Sequence, residues 1–67
     1  MEKNNWLEDN WKTGPYGNKT KDYECHLIRL QKKADTRWTC VIDGKFIGVF
    51  GSEDDAKQAA WKNIFGD

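Results

Sequence analysis

An Asp-Gly pair at positions 43 and 44 constrains this 67-residue chain more than any other feature. It lies between Arg37-Trp38-Thr39-Cys40-Val41-Ile42 and Lys45-Phe46-Ile47-Gly48-Val49-Phe50, two runs rich in β-branched and aromatic residues. A type I′ turn needs positive φ at both central residues, and Asp-Gly tolerates this, so the two runs are predicted to form a β-hairpin. The two-residue turn also sets register. Ile42 is expected opposite Lys45, Cys40 opposite Ile47 and Trp38 opposite Val49, and opposed residues share a face. One face then carries Trp38, Cys40, Ile42, Ile47 and Val49 and is predicted to be core. The other carries Arg37, Thr39, Val41, Phe46 and Gly48.

A helix is predicted to follow. Ser52 is placed as N-cap, Glu53, Asp54 and Asp55 suit the positive end of the helix dipole, and Asp55 holds the capping-box position. Ala56, Ala59, Ala60 and Ile64 recur at helical spacing, Trp61 and Phe65 widen the stripe, and Gly66 is placed to end it. Upstream, Tyr23 to Leu30 reads as a first strand and Gln31 to Thr36 as a polar loop. The strand's inward phase is open, with either Tyr23, Cys25 and Leu27 or His26, Ile28 and Leu30 facing the helix. The predicted fold is α+β, a three-stranded antiparallel sheet on one C-terminal helix over residues 23–67. Residues 1–22 form an extension, with a short helical turn opened by Asn5-Trp6-Leu7-Glu8 and a turn-rich linker at 13–22. A helix that short does not hold alone in water, so it must dock.

Sixty-seven residues fill one core. Eleven basic and eleven acidic side chains cancel over the chain, but residues 12–48 carry eight basic against four acidic, a local excess of four. No apolar run approaches the roughly 18 residues of a membrane span, and Met1-Glu2-Lys3-Asn4-Asn5 lacks a signal peptide's apolar stretch. A reducing cytoplasm is therefore expected, with Cys25 and Cys40 as free thiols.

The residues needed for catalysis are not grouped. His26 is the sole histidine, and Cys25 points to the opposite face if both lie in one strand. Cys25, His26 and Cys40 lack the close pairs of a zinc site, and no glycine-rich phosphate loop is present. The chain is expected to be non-enzymatic, without metal, cofactor or small-molecule substrate.

The second hairpin face is the candidate binding surface. Val41 stands opposite Phe46, Gly48 leaves a gap beside Thr39, and Arg37 adds charge. Arg29, Lys32, Lys33 and Arg37 form a basic cluster near one sheet edge, and Lys45 lies at the turn. Either this face meets a partner, with Trp6 and Trp11 as further anchors, or the Trp6–Trp11 segment folds over it as cover.

Trp38-x-x-x-Ile42, then Ile47-Gly48-Val49-Phe50, then Ser52-x-x-Asp55-Ala56-x-x-Ala59 resembles the AP2-type DNA-binding domain over residues 37–65. The arm-binding domains of phage and transposon integrases share that sheet-plus-helix architecture. The resemblance implies a sheet laid in the DNA major groove. Phe46 would correspond to an outward tryptophan that contacts DNA, and Arg37 to a basic residue before the inward aromatic. The sequence departs from the family at Asp43, where an arginine is usual, and offers only Arg29 for a pair of first-strand arginines. Two functions are thus expected in order. The first is DNA binding, with phosphate contacts from Arg29, Lys32, Lys33, Arg37 and Lys45 and with Thr39 and Phe46 toward the bases. The alternative is a small protein-binding inhibitor or adaptor, of the kind phages direct at host or defence proteins, using the same face.

Overall fold

The computed structural model describes residues 3–66. Two helices and five strands follow one another as α1 (Lys3–Glu8), β1 (Lys12–Thr13), β2 (Lys19–Tyr23), β3 (His26–Ala34), β4 (Arg37–Ile42), β5 (Lys45–Phe50) and α2 (Glu53–Phe65). The strands form one antiparallel sheet in the order β1-β2-β3-β4-β5. The class is α+β with a C-terminal helix, as the sequence implies, but with five strands rather than three. Residues 13–22 are no linker. Lys12 and Thr13 pair with Thr20 and Lys19 around a one-turn 3-10 helix at Pro15–Gly17, and β2 then pairs along its length with β3.

The Asp43-Gly44 turn forms as expected, with φ of 54° and 80° and Ile42 opposite Lys45. Val41 then faces Phe46, and there the expected register ends. A β-bulge puts Gly48 rather than Ile47 opposite Cys40, Val49 opposite Thr39 and Phe50 opposite Trp38. Val49, expected in the core, is 55% exposed, while Phe50 packs against the core in its place. Gly48 has moved from the outer face to the helix side, where a Cβ would meet the Phe50 ring at 3.2 Å. The bulge thereby exchanges a small inward side chain for a large one beside Trp38.

The stretch Tyr23 to Leu30 is not one strand. It is the end of β2, a turn at Glu24-Cys25 with Glu24 at φ 53°, and the start of β3. Ile28 and Leu30 point inward and are fully buried, and Tyr23, on the other arm, packs against the same core. The expected loop 31–36 is mostly strand. β3 continues to Ala34, with Lys32 opposite Trp38 and a second bulge that leaves Lys33 unpaired.

Helix α2 starts and stops where its sequence directs. The Ser52 hydroxyl accepts from the Asp55 N–H at 3.1 Å, and Gly66 closes the helix at φ 83°. Ala56 and Ala60 are fully buried, so the helix lies close over Ile28, Leu30 and Cys40. Helix α1 spans Lys3–Glu8, so Asn5 sits within it rather than at its cap. Trp6 drops from α1 into the core at 1% exposure, edge-on to Trp61 at 5.4 Å and Phe65 at 5.8 Å between ring centroids. Its position on the helix side of the sheet overturns the expected cover, because α1 packs against α2 rather than over the outer face. No helix among the described residues is long and apolar enough to cross a membrane.

Candidate binding face

The outer face is assembled by register. Paired residues share a side of the sheet, and those paired with core residues define the inner one. One outer row crosses all five strands as Lys12, Thr20, Arg29, Val41 and Phe46. A second holds Gln31, Thr39 and Val49, and a third holds Asp22 and Leu27. Four strand spacings of about 4.8 Å make the first row about 19 Å long. Phe46 is 60% exposed and Leu27 41%, so with Val41 and Val49 they form an apolar patch that nothing among the described residues covers.

The proposed site residues divide into three groups. Arg29, Arg37, Val41 and Phe46 do share this face, and Lys33 protrudes where the bulge leaves it unpaired. Lys32 and Lys45 do not. They pair with the core residues Trp38 and Ile42 and so belong to the helix side, and the Lys32 ammonium lies 3.8 Å from Asp35. Thr39 has the outer phase but is buried beneath its neighbours, with its hydroxyl lacking a partner among the described residues. Direct base contact from Thr39 is therefore corrected, because exposed neighbours shield it. Lys12, Thr20, Gln31, Leu27 and Val49 belong to the face and were not foreseen. The first two need strands with no apolar alternation to betray them, and Val49 needs the bulge.

Trp6 and Trp11 are corrected as anchors. Trp6 is core, and Trp11 packs edge-on against it at 6.0 Å, away from the outer face. Lys21 fixes this segment. Its ammonium is buried, donates to the carbonyl oxygens of Trp6 and Asp9 (2.8 Å for Asp9), and lies 4.4 Å from the centre of the Trp6 ring. Carbonyls at the end of a helix lack intrahelical partners, and a cation there also suits the dipole. Burial pushes the Lys21 pKa down, opposed by the nearby Asp9 carboxylate.

At the hairpin tip, the Asp43 carboxylate accepts from the Leu27 N–H and from His26 Nδ1, both at 2.8 Å, while the Asp43 N–H donates to the Leu27 carbonyl at 2.9 Å. The Leu27 bond, then His26, holds the Asp43 carboxyl below its ordinary range. Asp43 is therefore structural, tying the turn to the start of β3 where the resembled family has an arginine. Cys25 lies exposed in the β2–β3 turn rather than in a strand, and Cys40 is buried. Among the described residues no three of His, Cys, Asp and Glu are grouped to hold a metal ion. No protein-family model matches this chain, and neither does any curated protein or solved structure.

Proposed function

We propose that this chain is a small non-enzymatic DNA-binding domain that sets the outer face of its sheet against duplex DNA. The observation carrying the proposal is the bare five-strand row ending in Arg29, Val41 and Phe46, with basic side chains on its own side. Lys12, Arg29 and Arg37 stand on this face against Asp22 alone among the described strand residues, while the acids Glu53, Asp54 and Asp55 start the helix on the opposite side. Strands β3 to β5 span two spacings, about 10 Å, which suits a major groove about 12 Å wide. Phe46, Arg29 and Gln31 then face base edges, and Lys12 and Thr20 extend toward phosphate on the rim. The AP2-like order of hairpin and helix supports the same reading.

A neutral chain has only this local excess to draw on. With about three phosphate contacts, log Kobs is expected to fall with log salt at a slope of about −3. Mobility shifts on a duplex pool across a salt series test it, with Lys12→Ala expected to reduce the slope by about one. No shift at low salt, or a shift insensitive to salt, refutes DNA binding.

One observation favours a second reading, a protein partner. Leu27, Val41, Phe46 and Val49 form a contiguous apolar patch flanked by arginines, the composition of an interface centre. Capture from native extract that survives nuclease and is lost in Phe46→Ala selects this reading over DNA.

A further inference from the structure

β5 is a free edge of the sheet, and its bulge gives that edge an unusual spacing. A two-residue turn makes Ile42 and Lys45 a hydrogen-bonded pair, so alternation turns the backbone N–H and C=O of Phe46 away from β4 to the open edge. In a regular strand the next outward-turned residue would be Gly48. Because Gly48 pairs with Cys40, it is Val49 instead, three residues on. A regular strand laid on this edge bonds through every second residue and loses register between Phe46 and Val49. A second β5 related by a two-fold axis has the same three-residue step. Phe46 then meets Val49 of the copy, Val49 meets its Phe46, and both register points are satisfied.

The helix carries a matching device. Asp55, Ala59 and Lys62 fall at i, i+4 and i+7, one stripe of α2. Ala59, Lys62 and Asn63 line a shallow groove with Ile47, so this stripe faces the β5 edge, while the opposite flank, Trp61 and Phe65, is covered by Trp6. An axis through Ile47–Gly48 therefore also passes Ala59. It runs the two α2 helices antiparallel and sets Asp55 of each beside Lys62 of the other. Both residues are exposed, and neither is in an ion pair among the described residues. If each helix lies over its β4, the helices stand three strand spacings apart, about 14 Å, a gap that a lysine reaching for a carboxylate can bridge.

We infer that this chain forms a two-fold dimer through β5–β5 pairing, giving a continuous ten-stranded sheet with both outer faces on the same side. The dimer is independent of the DNA reading. Its bonds are backbone bonds at the edge, and Phe46 and Val49 stay on the outer face, so two basic faces are joined side by side.

Sedimentation equilibrium of the parent chain, without nucleic acid, is expected to show twice the 7.8 kDa chain mass at roughly 100 μM. Val49→Pro removes an edge-facing N–H and no ladder bond, so it should yield a monomer with parent far-UV circular dichroism. Asp55→Lys and Lys62→Glu each place like charges together and should weaken the dimer several-fold. Mixing the two variants pairs Lys with Glu and Lys with Asp, and should restore dimer mass. That rescue does not depend on Val49→Pro folding. A parent chain monomeric throughout this range overturns the inference, as does a dimer that the charge variants leave unchanged.

Discussion

Replacing Trp6 by alanine separates a core residue from a contact residue. The side chain is 1% exposed and meets Trp11, Tyr23, Trp61 and Phe65 edge-on at centroid distances of 5.4 to 6.0 Å. Removing a buried tryptophan costs about 3–5 kcal/mol, and the small domain has little to spare, since 67 residues at about 0.05–0.15 kcal/mol each give roughly 3–10 kcal/mol in total. The ring also lies against the Lys21 ammonium, so the variant removes one face of that cation's surroundings as well. Trp6→Ala is therefore expected to lower Tm by on the order of 20 °C, or to leave the chain unfolded at room temperature. Urea unfolding followed by circular dichroism measures it. Phe46→Ala is the control, expected within about 0.5 kcal/mol of the parent because its ring lies in solvent. If Trp6→Ala stays within about 1 kcal/mol of the parent while binding is lost, Trp6 is an anchor and its placement in the core is wrong.

The Asp43 carboxyl titrates lower in the folded chain than in the unfolded one, so its stabilisation is present above the unfolded value of 3.8 and is lost as pH falls through the folded value. Asp43→Asn keeps a residue suited to the turn and should flatten the fall of Tm below about pH 4, and an unchanged acid limb would refute this assignment. Thiol labelling should divide the cysteines. Cys25 is exposed, whereas burial pushes the Cys40 thiol up to about 11, so one thiol per native chain should react at neutral pH and both in urea. Two fast thiols in the native state would contradict the burial of Cys40.

Local chemistry made the β4–β5 turn and helix α2 legible. Asp43-Gly44 can take positive φ twice, and Ser52 with its following acids can cap a helix, whatever surrounds them. That local rule also sent Phe46 outward and Ile47 toward the core. Strands β1 and β2 were hidden because their inward positions are polar, with Lys19 and Lys21 where a hydrophobic alternation would be sought. Lys21 is tolerable there only because α1 and the residues that follow it bring the carbonyl oxygens of Trp6 and Asp9 and the rings of Trp6 and Trp11 to its ammonium. The binding face was half legible for a similar reason. Arg37, Val41 and Phe46 follow from the phase set by the turn, as does the inner phase of Lys45 opposite Ile42, while Val49 depends on the bulge and Arg29 and Lys32 on which face β3 buries.

By itself, then, the sequence determined the elements whose signals lie within a few residues: the β4–β5 reversal, the helix and its two ends, and a single aromatic core. The tertiary structure decided the rest. Regular alternation along Phe46-Ile47-Gly48-Val49-Phe50 puts Val49 inward, but the space beside Trp38 goes to the larger ring of Phe50 through a bulge. The two indoles of the N-terminal segment could cover either side of the sheet, and the aromatic surface of Trp61, Phe65 and Tyr23 drew them to the helix side. Burial is a property of neighbours brought together by the whole chain, and one-dimensional spacing does not contain it.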